Sequence, residues 1–249
     1  MVSTWCSELN IAGRPKRVEA ERRNYPMSNF DAMRAHMVES QILPNKVSNP
    51  RLIEALSKVP RERFVPESRR GTAYIDEDLE IAPGRYLMEP VVFARMVEAA
   101  GIQATDTVLD VGCGPGYSTA ILAHLAGAVI GIEEDAASVE NARGLMLDLG
   151  IDNAVFEQTK PTLGYSDQAP YEVIVIGGAA TNIPDTLLGQ LADGGRLVAV
   201  IPERHVSERC HFGSATLFTK VGEIVGSRPL FDAGIPPLPG FEKEAGFVF

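Results

Sequence analysis

The chain has 249 residues, 45% of them hydrophobic, and a formal net charge of −10 from 23 basic and 33 acidic side chains. That length and composition suit one α/β domain with a full core, and they exclude a bilayer-crossing helix, since no apolar run nears the ~20 residues needed. An acidic body lacks the basic face that phosphate-backbone binding requires, so no nucleic-acid partner is expected.

Residues 1–28 mix charges with Gly13, Pro15 and Pro26, without periodicity or the apolar stretch of a secretory signal. They read as a disordered or loosely docked extension, with a start of translation at Met27 as the alternative. Phe30, Met33, Met37, Val38 and Ile42 then recur at helical spacing until Pro44 and Asn45. Asn49 followed by Pro50 predicts a capped helix over 51–59. Pro60 and Pro66 bracket a stretch read as extended around Phe64, residues 74–82 read as irregular, and Pro83-Gly84 as a turn. Pro90 opens an amphipathic helix with Val92, Met96, Val97 and Ala100 on one face.

After Gly101 strands and helices alternate. Strands are predicted over 107–111, 129–133, 154–157, 172–176 and 196–201, and helices over 118–125, 136–149 and 184–191, the last closed by Gly194-Gly195. Short apolar strands between amphipathic helices imply a parallel sheet covered on both faces. Residues 215–220 and 223–230 read as an antiparallel hairpin at its edge. The tail, with Pro236, Pro237, Pro239 and Gly240, is expected to wrap the surface. The predicted fold is therefore α/β, a mostly parallel doubly wound sheet with a C-terminal hairpin, forming one domain over 29–249. Within it, 29–101 is a helical N-terminal segment and 102–249 the core. The widely spaced Cys6, Cys113 and Cys210 fit a reducing cytoplasm better than a disulfide framework. Cys210 between His205 and His211 lacks a ligand spacing, so a polar loop and no metal site is expected.

The segment VLDVGCGPGYST (108–119) reads as a buried strand, a glycine-rich turn and a helix start. Doubly wound sheets bind ligands at such a position, beyond the carboxyl ends of their strands. Gly112, Gly114 and Gly116 permit positive φ and close backbone approach, while N–H groups entering the helix at Tyr117 suit the carboxylate of a methionyl group. The spacing is G-x-G-x-G rather than the dinucleotide G-x-G-x-x-G, and no Lys-Ser/Thr pair follows as in a P-loop. Asp110 is expected to point its carboxylate into the pocket, where it would repel a pyrophosphate and suit the ammonium or sulfonium of S-adenosylmethionine. Glu133, at the tip of the next strand, is the expected acceptor for both ribose hydroxyls. Glu134 and Asp135 read as helix N-terminal charge. The cofactor is thus S-adenosyl-L-methionine, held by Asp110, Val111, Gly112, Cys113, Gly114, Gly116, Tyr117 and Glu133.

With MVESQI (37–42), NPRLIEALSKVPRERFVPE (49–67), AYIDEDLEIAPG (73–84) and YEVIVIGGAATNIPDTLLGQLADGGRLVAVI (171–201), the chain resembles the protein-L-isoaspartate O-methyltransferase family over residues 33–230. The resemblance implies a Rossmann-like methyltransferase core whose N-terminal segment covers the acceptor side, a protein or peptide carboxylate as acceptor, and a role in protein repair. Two departures fall in the site. The family typically reads GQTIS-Q-P where this chain has GRYLMEP (84–90), so Tyr86 stands for a Thr, Met88 for a Ser and Glu89 for a Gln. These are the acceptor-pocket positions, and a Met thioether donates no hydrogen bond while a Glu carboxylate would repel an acceptor carboxylate. Thr159 and Lys160 stand where the family has a Gly-Asp near the adenine amino group; a Lys side chain cannot accept from an amine, so these two are expected to bind the cofactor through their backbone carbonyls.

A carboxylate acceptor, with a pKa of about 4, is ionised at neutral pH and needs no general base. A hydroxyl or amine acceptor would need one from Tyr86, Glu89 or His36. Three readings follow: an isoaspartyl carboxyl methyltransferase, the same scaffold with another acceptor, and a catalytically silent S-adenosylmethionine-binding protein. A nucleic-acid methyltransferase is disfavoured, because the strand after Tyr171 ends in IGGAA rather than an Asn/Asp-Pro-Pro-Tyr type of base clamp.

Overall fold

A computed structural model of the chain describes residues 29–203 and 212–242. The expected extension over 1–28, together with Cys6, His205, Cys210 and His211, lies outside the described residues. The N-terminal segment opens with α1 (Asn29–Met37), which widens into a π-helical turn over Val38–Ile42 and then tightens into a 3₁₀ turn over Leu43–Asn45. Helix α2 (Pro50–Lys58) is capped as expected, with the Asn49 side chain accepting from the N–H groups of Arg51 and Leu52. The stretch around Phe64 is not extended: Arg61–Phe64 and Glu67–Thr72 form 3₁₀ turns, each entered from a proline. Residues 74–82 are not irregular throughout either. Strand β1 (Leu79–Ala82) turns at Pro83-Gly84, where Gly84 has φ 70°, and pairs antiparallel with β2 (Arg85–Leu87). Helix α3 (Pro90–Ala100) follows.

The core runs β3 (Thr107–Val111), α4 (Tyr117–Ala123), β4 (Ala128–Glu133), α5 (Ala136–Leu149), β5 (Ala154–Gln158), β6 (Tyr171–Ala179), α6 (Asp185–Gly189), β7 (Leu191–Pro202), β8 (Phe212–Val221) and β9 (Ile224–Gly234). The strands form one sheet in the order β5-β4-β3-β6-β7-β8-β9. Pairs up to β6–β7 are parallel, and the last two pairs are antiparallel. The predicted doubly wound sheet with its terminal hairpin is therefore present. Gly194-Gly195 do not cap a helix. They lie within β7, in a bulge where the partners jump from Tyr171–Leu191 to Val173–Arg196.

The chain winds outward through β4 and β5 and returns to place β6 on the other side of β3, so the topological switch lies between β3 and β6. Alternation along the strands divides the core. Val108, Val129, Val173 and Val198 join the face covered by α3, α4 and α5. Leu109, Val111, Ile132 and Ile176 join the opposite face, packed by Leu187, Leu238 and Phe241.

The described part of the tail, up to residue 242, does not wrap the surface. Ile235, Leu238 and Phe241 are 1%, 1% and 3% exposed, and the segment docks as a strap on the end of β6. Ala179 N–H donates to Pro236 O at 3.2 Å, Leu238 N–H to Ala179 O at 2.9 Å and Thr181 N–H to Phe241 O at 3.0 Å. The small-residue run 177–180 is what admits it, since a Cβ on Gly178 would sit 2.9 Å from Leu238 Cβ.

Candidate active site

A cavity of about 610 Å³ opens beyond the carboxyl ends of β3 and β4, within the range of small-molecule sites. Gly114, Pro115 and Glu133 form its floor, the β1–β2 hairpin contributes Ile81 and Arg85, and the strap contributes Leu238 and Pro239. Glu133 ends β4 and is almost wholly buried, with its carboxylate in the cavity wall. Oε1 accepts from the N–H groups of Glu134 (2.8 Å) and Asp135 (3.4 Å). Oε2 accepts from Gly114 N–H (2.9 Å) and from the Arg85 guanidinium (2.5 Å).

The loop has the conformation its glycines suggest, with φ of 71°, 53° and 94° at Gly112, Gly114 and Gly116. What crowds these positions is protein. A Cβ on Gly112 would come 2.6 Å from Leu238 Cδ1, and one on Gly116 would come 3.1 Å from Phe156. Four loop N–H groups are already taken: those of Gly112 and Cys113 by Ile132 O, that of Gly114 by Glu133 and that of Gly116 by Cys113 O. An incoming carboxylate is left with the N–H groups from Tyr117 onward. Cys113 is buried, and burial pushes its thiol well above the usual range, which makes it an inert packing residue.

Asp110 is placed differently from expectation. Alternation along β3 puts it on the same face as Val108, under α4, and it lines neither this cavity nor the smaller one described below. Its Oδ2 accepts from the hydroxyls of Ser118 and Thr119, both at 2.6 Å, so it fixes the start of α4. Burial raises its carboxyl to about 6 against the opposing pull of those hydroxyls. Among the described residues, Oδ1 has no partner. Thr159 and Lys160 also stand outside the cavity wall, which their neighbour Pro161 joins instead. Thr159 contributes its backbone N–H to Glu133 O at 3.0 Å.

A second, narrower pocket adjoins the loop, lined by Tyr86, Met88, Phe93, Tyr117, Ser118 and Gly177 among others. The structure thus brings Tyr86 and Met88 together with Tyr117 and the switch point. Glu89 is not in that wall. Its N–H donates to Asp78 Oδ1 at 2.9 Å as α3 begins, and burial, with Asp76, Asp78 and Glu77 nearby, pushes its carboxyl up to about 7. The repulsion expected from Glu89 therefore does not act at the pocket surface. His36 lies on the exposed side of α1 beside Ser40 and is remote from either wall.

Residues without a local sequence signal hold the N-terminal segment against the glycine loop. Arg61 is 0% exposed. It donates to Ala73 O at 2.7 Å and Met88 O at 2.8 Å, and lies 4.7 Å from the centre of the Tyr117 ring. Phe64 meets the same ring edge-on at 5.6 Å. One buried arginine thereby ties its own 3₁₀ turn, Ala73 and GRYLMEP to Tyr117 at the end of the glycine loop.

The family model described as protein-L-isoaspartate(D-aspartate) O-methyltransferase matches residues 32–212. The chain is 42% identical over 171 residues to protein-L-isoaspartate O-methyltransferase 2 of Anaeromyxobacter sp. strain Fw109-5, covering 69% of this chain and 70% of that protein. It is 37% identical over 182 residues to the protein-L-isoaspartate O-methyltransferase of Syntrophus aciditrophicus, covering 73% and 84%. Its fold resembles a solved protein-L-isoaspartate O-methyltransferase with a TM-score of 0.70 at 24% identity, over 83% of this chain and 66% of that one. It also resembles, with a TM-score of 0.66 at 19% identity over 84% and 97%, a Plasmodium falciparum structure containing S-adenosyl-L-homocysteine. With the family model spanning both the N-terminal segment and the core, this chain belongs to the protein-L-isoaspartate(D-aspartate) O-methyltransferase family.

Proposed function

We propose that this enzyme esterifies the free carboxylate of isoaspartyl residues in damaged proteins, with a protein or peptide and not a nucleic acid as acceptor, in a reducing cytoplasm. It is an S-adenosylmethionine-dependent O-methyltransferase. The observation that carries the reading is the adjacency of two spaces across one glycine loop. The larger has Glu133 in its wall, and the smaller is walled by Tyr86, Met88, Phe93 and Tyr117.

The residues fit the methyl donor. Glu133 offers an anionic acceptor for the ribose hydroxyls. The N–H groups from Tyr117 onward are left to the methionyl end, and Pro161, Leu238 and Pro239 provide apolar walls. When bound, the donor supplies an electrophilic methyl group on a sulfonium. The protein aligns the acceptor with it and excludes water, which can contribute several kcal/mol. No residue has to act as base, because the acceptor carboxylate is already ionised. Tyr86 supplies one hydroxyl in the smaller pocket, while Met88 and Phe93 keep it dry. Glu89 stands behind this wall, its backbone N–H held by the Asp78 carboxylate at the start of α3.

A second reading, the same scaffold with a different acceptor, is favoured by one observation: Met88, a non-donor, is 5% exposed in the pocket wall. The experiment is methyl-ester formation on an isoaspartyl peptide, with S-adenosylhomocysteine binding by calorimetry as control. Ester formation supports the first reading. Tight binding with no ester overturns it and transfers the case to the second.

A further inference from the structure

The ribose acceptor is fully engaged before any ribose arrives. A carboxylate offers about four lone-pair sites, and Glu133 already receives four donors: three backbone N–H groups and Arg85. The backbone donors belong to the glycine loop and to the turn entering α5, and they cannot leave without unmaking those turns. Arg85 is the exception. It is a side chain reaching in from the β1–β2 hairpin, and the same nitrogen is shared with Gly112 O at 3.1 Å. Among the described residues it is also the one basic group in the wall of a cavity that carries Glu133, Glu134 and Asp135. The pair is well shielded, with the Arg85 side chain 16% and that of Glu133 5% exposed, so water offers little replacement.

We propose that Arg85 is an internal competitor for the ribose: it caps Glu133 in the free protein and is displaced when the cofactor enters. The inference rests on Glu133 as the ribose acceptor. With the three backbone donors in place, a ribose hydroxyl can bond to this carboxylate only at the Oε2 site where Arg85 now stands. Every binding event therefore breaks the ion pair, and every release of the product restores it. Arg85 weakens the hold on S-adenosylhomocysteine and favours its departure, and it links the hairpin over the cavity to the state of the site.

The test is calorimetric titration of S-adenosylhomocysteine into the wild type, Arg85→Gln, Arg85→Lys and Glu133→Gln, each checked for folding by circular dichroism. Arg85→Gln is expected to tighten binding about ten-fold, the scale of one charge-assisted hydrogen bond, with slower dissociation in a stopped-flow chase. Arg85→Lys, which keeps the charge, is expected to stay near wild type. Unchanged binding in Arg85→Gln overturns the proposal. So does weaker binding that Arg85→Lys restores, since Arg85 would then brace the site or hold the cofactor itself. Glu133→Gln separates the two layers. If it binds as the wild type does, the ribose assignment fails. If it loses affinity while Arg85→Gln gains none, only the competitor fails.

Discussion

Gly177 stands where β6 leaves the sheet beside the cofactor loop, and replacing it by Ala tests how tightly the switch point is closed. A Cβ there would lie 2.7 Å from Gly112 O and 3.3 Å from Val111 O. Both are backbone atoms of a strand end whose neighbours pair Val111 with Ile176, so neither can swing aside as a flexible side chain would. The backbone of Gly177 is not left-handed, which leaves sterics as the whole penalty. Relief requires the ends of β3 and β6 to part by several tenths of an ångström, and overpacking of this kind costs about 1–3 kcal/mol. In a chain of this size each kcal/mol lowers Tm by about 2–4 °C. Since Gly112 O also receives Arg85, the shift should reach the cofactor loop and weaken S-adenosylhomocysteine binding as well. Gly144→Ala is the matched control: Gly144 lies within α5 with nothing inside 4 Å of an added Cβ, so Ala should stabilise by about 0.5–1 kcal/mol. Thermal unfolding and calorimetry on both variants decide the matter. Gly177→Ala that unfolds at the wild-type temperature and binds with wild-type affinity refutes the close approach of β6 to the loop.

Leu238→Ala removes the buried anchor of the strap and should cost about 2–5 kcal/mol in urea unfolding together with cofactor affinity; a variant as stable as wild type would mean that the tail is not docked. Burial raises the Glu89 carboxyl from its usual 4.5 to about 7, so the folded protein holds this proton more tightly than the unfolded chain does. The stability it contributes is present below pH about 4.5 and lost as pH rises through about 7. Tm of the wild type measured against Glu89→Gln should therefore fall across that window, and a difference that rises with pH would contradict the buried placement. Tyr86→Thr with Met88→Ser exchanges one hydroxyl in the smaller pocket and adds a second, and should raise kcat/KM on an isoaspartyl peptide by about ten-fold or more, the scale of a hydrogen bond to a charged group; no change in steady-state kinetics would show that these positions do not meet the acceptor.

Local pattern carried much of the fold. Strand β3 and helix α5 occupy the residues that apolar periodicity assigns to them, Asn49 caps α2, and the loop glycines adopt the positive φ that their clustering suggests, because strand alternation, capping and turn chemistry act within a few residues. Competing local signals were settled elsewhere. Gly194-Gly195 look like a helix stop, yet pairing of β7 with β6 draws them into a strand bulge. Asp110 precedes a ligand loop, yet alternation turns it under α4 to meet Ser118 and Thr119. The sequence by itself determined the fold class, the family and the glycine loop at the topological switch point. Only the tertiary structure decided what stands around that loop: Arg61 under Met88, Leu238 against Gly112 and Gly178, and Arg85 on Glu133. These contacts join residues far apart in the chain, and their partners are chosen by burial, close packing and the demand that buried charge be paired, which exist only once the sheet has assembled.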